Sequence, residues 1–182
     1  MDTDPPDPEP PAQGADEQLA GIAHVSRLLD AAGIDHWLFG GWAVDFWVGR
    51  ITRSHHDIDV VVALVDRPAM HDALVAGGWA HTPFDDEVVG TRYRRDGVLL
   101  ELTFVVLDDG RVLLPFEPQA WVWSEHPFGD ARRTLHGVTA RVLGLDVMLR
   151  DKSRLREEPE EAEKDRADYE ALSQVDLSGA AG

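Results

Sequence analysis

The chain has 182 residues, 43% of them hydrophobic and none of them cysteine, which suits a globular domain with its own core and excludes disulfides and thiolate metal sites. Its formal net charge of −17 leaves little phosphate-neutralising surface, so no nucleic-acid partner is expected. No apolar run approaches the roughly 20 residues of a membrane span, and the acidic, proline-rich start is the opposite of a secretory signal, so no membrane partner and a cytoplasmic location are expected.

Residues 1–15 hold five prolines and no large apolar residue except Met1, a composition that predicts a disordered acidic tail. From Asp16 the pattern turns helical. Leu19, Ile22, Val25, Leu28 and Leu29 recur at spacings of three and four, and Gly33 stands where a C-terminal cap belongs. Residues 34–39 read as a short buried strand, Gly40-Gly41 as a turn, and residues 42–48 as a short helix ending at Gly49. A valine-rich strand follows over 58–64, then a helix over 68–75 with Gly77-Gly78 at its end. Residues 79–84 read as a strand leading into an acidic loop at 85–87. Residues 91–95 and 98–106 pair across Asp96-Gly97, a strong hairpin signal, and Asp109-Gly110 suggests a second hairpin. A third is expected between 134–135 and 138–143, around His136-Gly137. Helices over 144–155 and 160–172 close the chain, the second able to form Glu160–Lys164 and Glu163–Arg166 pairs. This order predicts an α+β fold: one domain over 16–174, a mixed sheet flanked by helices, extra β-hairpins, a C-terminal helical part and a loose end over 175–182.

Two carboxylates, Asp57 and Asp59, open the valine strand. On a strand, residues i and i+2 share a face, so both point one way while Ile58 enters the core. Like charges so placed are costly unless something positive sits between them, and a hard divalent cation is the obvious candidate. A third carboxylate, Glu101, interrupts the most apolar strand. Alternation puts Leu100, Leu102, Phe104 and Val106 on the core face. Glu101 then lies on a mixed face, either as exposed decoration or lining a cleft. His55 and His56 beside these carboxylates suggest zinc, but consecutive strand residues point to opposite faces and cannot both join one site.

The string GGWAVDFWVGRITRSHHDID resembles the DNA polymerase β-type nucleotidyltransferase superfamily, and is closer still to aminoglycoside and lincosamide nucleotidyltransferases. The match runs through Gly40, Gly41, Ala43, Asp45, Gly49, Arg50, Arg53, His55, Asp57, Ile58 and Asp59, with a thinner likeness at Glu101, Lys152 and the Lys164-Asp165-x-x-Asp168 helix. The resemblance implies a nucleotidyltransferase fold. It implies an enzyme that joins the α-phosphoryl group of an NTP, with ATP the expected donor, to a hydroxyl of a small molecule, an aminoglycoside- or lincosamide-like antibiotic that could be cationic, releasing pyrophosphate. It further implies two Mg2+ ions held by Asp57 and Asp59, with Glu101 as third ligand or general base. Gly40, Gly41, Arg53, His55 and Lys152 are the expected nucleotide-binding residues. Relatives also imply a homodimer.

Several residues admit a second role. Arg50 and Arg53 could reach phosphates or pair with Asp45, which as a buried charge needs a partner. His55 could bind phosphate, orient Asp57 or serve a structural hydrogen bond. Lys152 could touch nucleotide or be an ordinary helix-surface lysine. Trp121, Trp123 and Glu125 could build an acceptor pocket with the 85–87 loop, or pack as aromatic core. The rival function is a minimal, antitoxin-type nucleotidyltransferase that acts on or masks a partner protein.

Overall fold

The structure, a computed structural model, describes residues 14–85, 87–109, 111–115, 122–123, 128–154 and 156–175. Most of the acidic tail, residues 176–182, Asp86, Trp121 and Glu125 lie outside the described residues, and of Trp123 only the backbone is described. The fold is α+β. Helix α1 spans Ala15–Ala31, strand β1 His36–Leu38, helix α2 Gly40–Val48, strand β2 Ile58–Ala63 and helix α3 Arg67–Ala76. Strands β3 (Ala80–His81), β4 (Gly90–Arg95), β5 (Val98–Asp108), β6 (Arg111–Leu113), β7 (Val122–Trp123), β8 (Arg132–Leu135) and β9 (Val138–Arg141) precede helices α4 (Leu145–Lys152) and α5 (Pro159–Ser173).

The main sheet runs β1-β2-β5-β4-β3, with β6 and β7 extending from β5. It is mixed: β2 and β5 are parallel, the other pairs antiparallel. The hairpins form where the turn residues demand. Asp96 and Gly97 both take left-handed φ, 50° and 82°, as a two-residue turn between twisted strands requires, and His136 with Gly137 does the same for β8–β9. Leu100, Leu102 and Phe104 of β5 are fully buried beside Ile58, Val60 and Val62 of β2, and α1 seals this layer with Leu19, Ile22, Val25 and Leu29. Ile58 thus enters the core as alternation requires.

Several boundaries differ from the sequence expectation: the strand over 34–39 shrinks to His36–Leu38 and the helix over 144–155 to Leu145–Lys152, and three others differ for local reasons. The turn at Gly40, with φ +64, is also the first residue of α2, so the helix starts two residues early. The strand expected over 79–84 shrinks to Ala80–His81. Among the described residues it pairs only with β4, at the sheet edge, and Pro83 removes a ladder donor just beyond it. Strand β5 runs two residues past Val106, because its register with β6 (Val106↔Leu113, Asp108↔Arg111) carries it to the next turn. No helix among the described residues is long and apolar enough to cross a membrane.

Candidate active site

The parallel pairing of β2 and β5 sets the centre of the site. Asp59 stands opposite Glu101 in register, and Asp57 lies just before the strand on the same face. Each of the three carboxyl groups offers an oxygen, and these oxygens lie within 4.8 Å of one another. Burial pushes the Asp59 carboxyl well above the usual carboxylate range, with Asp57 and Glu101 pushing the same way. Burial also raises Asp57, against the pull of His56, His55 and Arg53, and burial with Asp57 raises Glu101. Three such groups resist full ionisation unless a cation joins them, and their all-oxygen donor set suits a hard divalent ion.

The glycine pair closes over this centre. A Cβ on Gly40 would stand 2.2 Å from Oδ2 of Asp59. On Gly41 it would stand 2.5 Å from Nη2 of Arg53 and 2.6 Å from Nδ1 of His55. Both positions need glycine because the acidic and basic motif residues pack directly on the turn. Gly40→Ala is therefore expected to abolish activity and lower the melting temperature. The left-handed φ alone costs about 1–2 kcal/mol, before the collision with Asp59 is counted; a calorimetric scan and an initial-rate assay check this.

The loop between α2 and β2 is braced by one buried carboxylate. Asp45 is fully buried on α2. Its Oδ1 accepts from the backbone N–H of Thr52 at 3.0 Å and from the Thr52 hydroxyl, and its Oδ2 lies 2.6 Å from Nε2 of His55. Arg53 Nη1 faces His55 Nδ1 at 3.2 Å. A guanidinium can only donate, so Nδ1 accepts and Nε2 carries the hydrogen toward Asp45. On α1, Gln18 donates from Nε2 to the His55 carbonyl at 2.8 Å and accepts from the Trp42 indole at 2.7 Å. One amide thereby ties α1, α2 and the loop that leads into Asp57.

The C-terminal helices supply the opposite wall. Lys152 is only 8% exposed, so it is no surface lysine. Its Nζ donates to Asp165 at 2.8 Å and lies 2.9 Å from Asp168. Burial alone would lower its pKa, but the two carboxylates outweigh burial and raise it. Arg156 donates to the second oxygen of Asp165 at 2.7 Å, and Arg53 reaches across to Asp168 at 3.3 Å. Gly40, Gly41, Arg53, His55, Asp57, Asp59 and Lys152 all line one cavity of about 480 Å³, together with Asp151, Arg156 and Glu160, Glu161, Lys164 and Asp165 of α5. Glu101 is not on its lining, and Arg50 is exposed outside it.

A family model for aminoglycoside-2''-adenylyltransferases matches residues 21–172. The chain belongs to the aminoglycoside-2''-adenylyltransferase family. Two curated members, 2''-aminoglycoside nucleotidyltransferases of Escherichia coli and Klebsiella pneumoniae, are each 30% identical to it over 129 residues, covering 68% of this chain. The chain spans 63% of the length of those relatives. Among solved structures it is similar to ANT(2'')-Ia in complex with adenylyl-2''-tobramycin, with a TM-score of 0.67, 21% identity, and 86% and 87% of the two chains covered. It is also similar to the lincosamide adenylyltransferase LnuA with bound lincomycin, at a TM-score of 0.66 and 19% identity, with 88% and 98% covered. At these identities the structural likeness speaks for the fold alone, which is nucleotidyltransferase-like.

Within this family framework, Gln18, Thr52 and Arg156 were not singled out from sequence. Gln18 alone left a signal. It falls at i, i+4, i+7 and i+11 with Ile22, Val25 and Leu29, so an amide sits on the buried stripe of α1. A buried amide needs partners, and here they are the loop and Trp42.

The Asp165 cluster carries a pH prediction. Burial would raise the Asp165 carboxyl, but its bonds to Lys152 and Arg156 outweigh burial and hold it below the usual range. A depressed carboxylate stabilises the fold fully above the unfolded value of about 3.9, and that contribution is lost as pH falls below it. Asp165→Asn is expected to cost about 3 kcal/mol at pH 7 and to flatten the loss of stability below about pH 4; urea unfolding at a series of pH values measures both.

Proposed function

We propose that this chain transfers AMP from ATP to a hydroxyl of an aminoglycoside and releases pyrophosphate. The observation that carries this reading is the cluster of Asp57, Asp59 and Glu101 set against the Gly40-Gly41 turn, in a chain whose family model is named for that activity. The donor set fits divalent metal, and Mg2+, in one or two ions, is the ion proposed for Asp57, Asp59 and Glu101. When bound, it supplies charge neutralisation for the carboxylates and the triphosphate.

The chain's own groups do the rest. The backbone of the glycine turn and the start of α2 approach the phosphates closely because no side chain intervenes. Arg53 and Lys152 face the same cavity as cations, and His55 acts on the nucleotide by holding Arg53 in place. Glu101 takes the proton of the acceptor hydroxyl as the oxygen–phosphorus bond forms, and the bond from the α-phosphorus to the bridging oxygen breaks in line, with the electron pair leaving on pyrophosphate. Six carboxylates against four Lys and Arg leave the cavity lining net acidic, which favours a polycationic acceptor over a neutral one. Use of ATP puts the reaction in the cytoplasm. The antitoxin-type alternative gains nothing from the family match.

Incubation with Mg2+, ATP and a panel of aminoglycosides and lincosamides, read by mass spectrometry, tests the proposal. An aminoglycoside gaining one AMP moiety is expected. Modification of lincosamides alone would transfer the acceptor assignment to that class, and no modified compound would overturn the proposal.

A further inference from the structure

Beside the active-site cavity lies a second one of about 430 Å³, walled by Lys152, Arg154, Arg156, Arg166 and Tyr169. Its described lining carries four cations and no carboxylate, in a chain with 34 acidic residues against 17 Lys and Arg. Lys152 and Arg156 line both cavities and form the wall between them. The ion pairs around that wall do not cancel. Lys152 and Arg156 engage Asp165, Lys152 and Arg53 engage Asp168, and Arg154 lies 4.0 Å from Asp151. Arg166 makes no ion pair with any described residue; the Glu163 contact open to it by spacing is not made. On the second cavity's lining Arg166 is thus the cation that no described carboxylate engages. Tyr169, 41% exposed, adds an aromatic wall.

We propose that this second cavity is a phosphate site that takes a pyrophosphate group. The inference rests on the function proposed above, in which pyrophosphate is the leaving group. Once the bond to the α-phosphorus breaks, a polyanion is left in a cavity whose lining sets six carboxylates against four Lys and Arg. The neighbouring cavity has cations and no carboxylate on its described lining, and is reached past Lys152 and Arg156. Guanidinium forks match phosphate oxygens two at a time, and among the described residues Arg166 is the one engaged by no carboxylate. The group bound could be free pyrophosphate or the β,γ end of ATP, which present the same chemistry.

Calorimetric titration of the full chain with pyrophosphate, without ATP or acceptor, reads the site directly. Wild type is expected to bind, and Arg166→Ala to bind about tenfold more weakly, the loss of one charge-assisted bond. Arg27→Ala, which removes the same charge from an exposed position on α1, is expected to bind as wild type does. Kinetics then separate the sources. A raised inhibition constant for pyrophosphate with unchanged KM for ATP assigns the site to the product; a rise in both assigns it to the β,γ end of ATP. Equal pyrophosphate binding by wild type and Arg166→Ala, or none by wild type, overturns the site. Pyrophosphate binding that depends on Arg166 in a protein that adenylylates nothing leaves the site standing and overturns the proposed function instead.

Discussion

Asp59→Asn is expected to lower nucleotidyl transfer by about a hundred- to a thousandfold, the range found when a group that stabilises charge in the transition state is removed. The same change should leave the metal-free protein at least as stable as wild type. Burial, Asp57 and Glu101 all oppose a charge on Asp59, so a neutral amide of the same shape relieves that opposition. Activity and stability therefore move apart, which a merely structural residue would not allow. Thermal unfolding in chelator, followed by unfolding with Mg2+, measures it. Wild type should gain stability with the ion, as any ligand of the native state confers, and the variant should gain less. A variant that unfolds in chelator would show instead that Asp59 holds the fold, and an active variant would remove it from the metal site.

Asp45→Ala is expected to lose both stability and activity. It strands the buried His55 ring and the half-buried Thr52 N–H and hydroxyl, all of which bond a fully buried carboxylate. Removing one partner of such a buried set costs about 3–5 kcal/mol, or a fall in melting temperature on the order of 10 °C for a chain of this size. The loop that leads into Asp57 loses its anchor, so turnover falls with it. Asp45→Asn is the sharper probe. Its amide can donate to His55 Nε2, but the ring hydrogen then moves to Nδ1 and meets the guanidinium of Arg53. The Asn variant should recover part of the stability and little of the activity. Equal recovery of both would show that the ring's hydrogen pattern is immaterial.

The chemistry was legible where a short-range period controls it. Asp57 and Asp59 share a face because strands alternate, and the same rule set Glu101 apart from Leu100 and Leu102. The Asp–Gly and His–Gly turns were legible because few residue pairs accept left-handed φ twice in succession. What stayed hidden depends on partners far along the chain. Nothing local says that Asp59 registers with Glu101, or that Lys152 is buried between two aspartates. Asp45 was legible as a buried charge in need of a partner, with Arg50 or Arg53 as candidates. Its partners are His55 and Thr52, because the loop folds back over Gly41 and sends Arg53 across to Asp168. The Glu160–Lys164 pair forms at 3.4 Å, since both ends lie on one helix, while Arg166 turns to the second cavity instead.

The most direct measurement uses ATP labelled at either the α- or the γ-phosphate, with Mg2+ and an aminoglycoside. Nucleotidyl transfer through Asp57, Asp59 and Glu101 puts the α-label on the aminoglycoside and the γ-label in pyrophosphate, in equal amounts, with neither product formed by Asp59→Asn. A γ-label on the aminoglycoside, or α-label transfer that survives in the Asn variant, would contradict it.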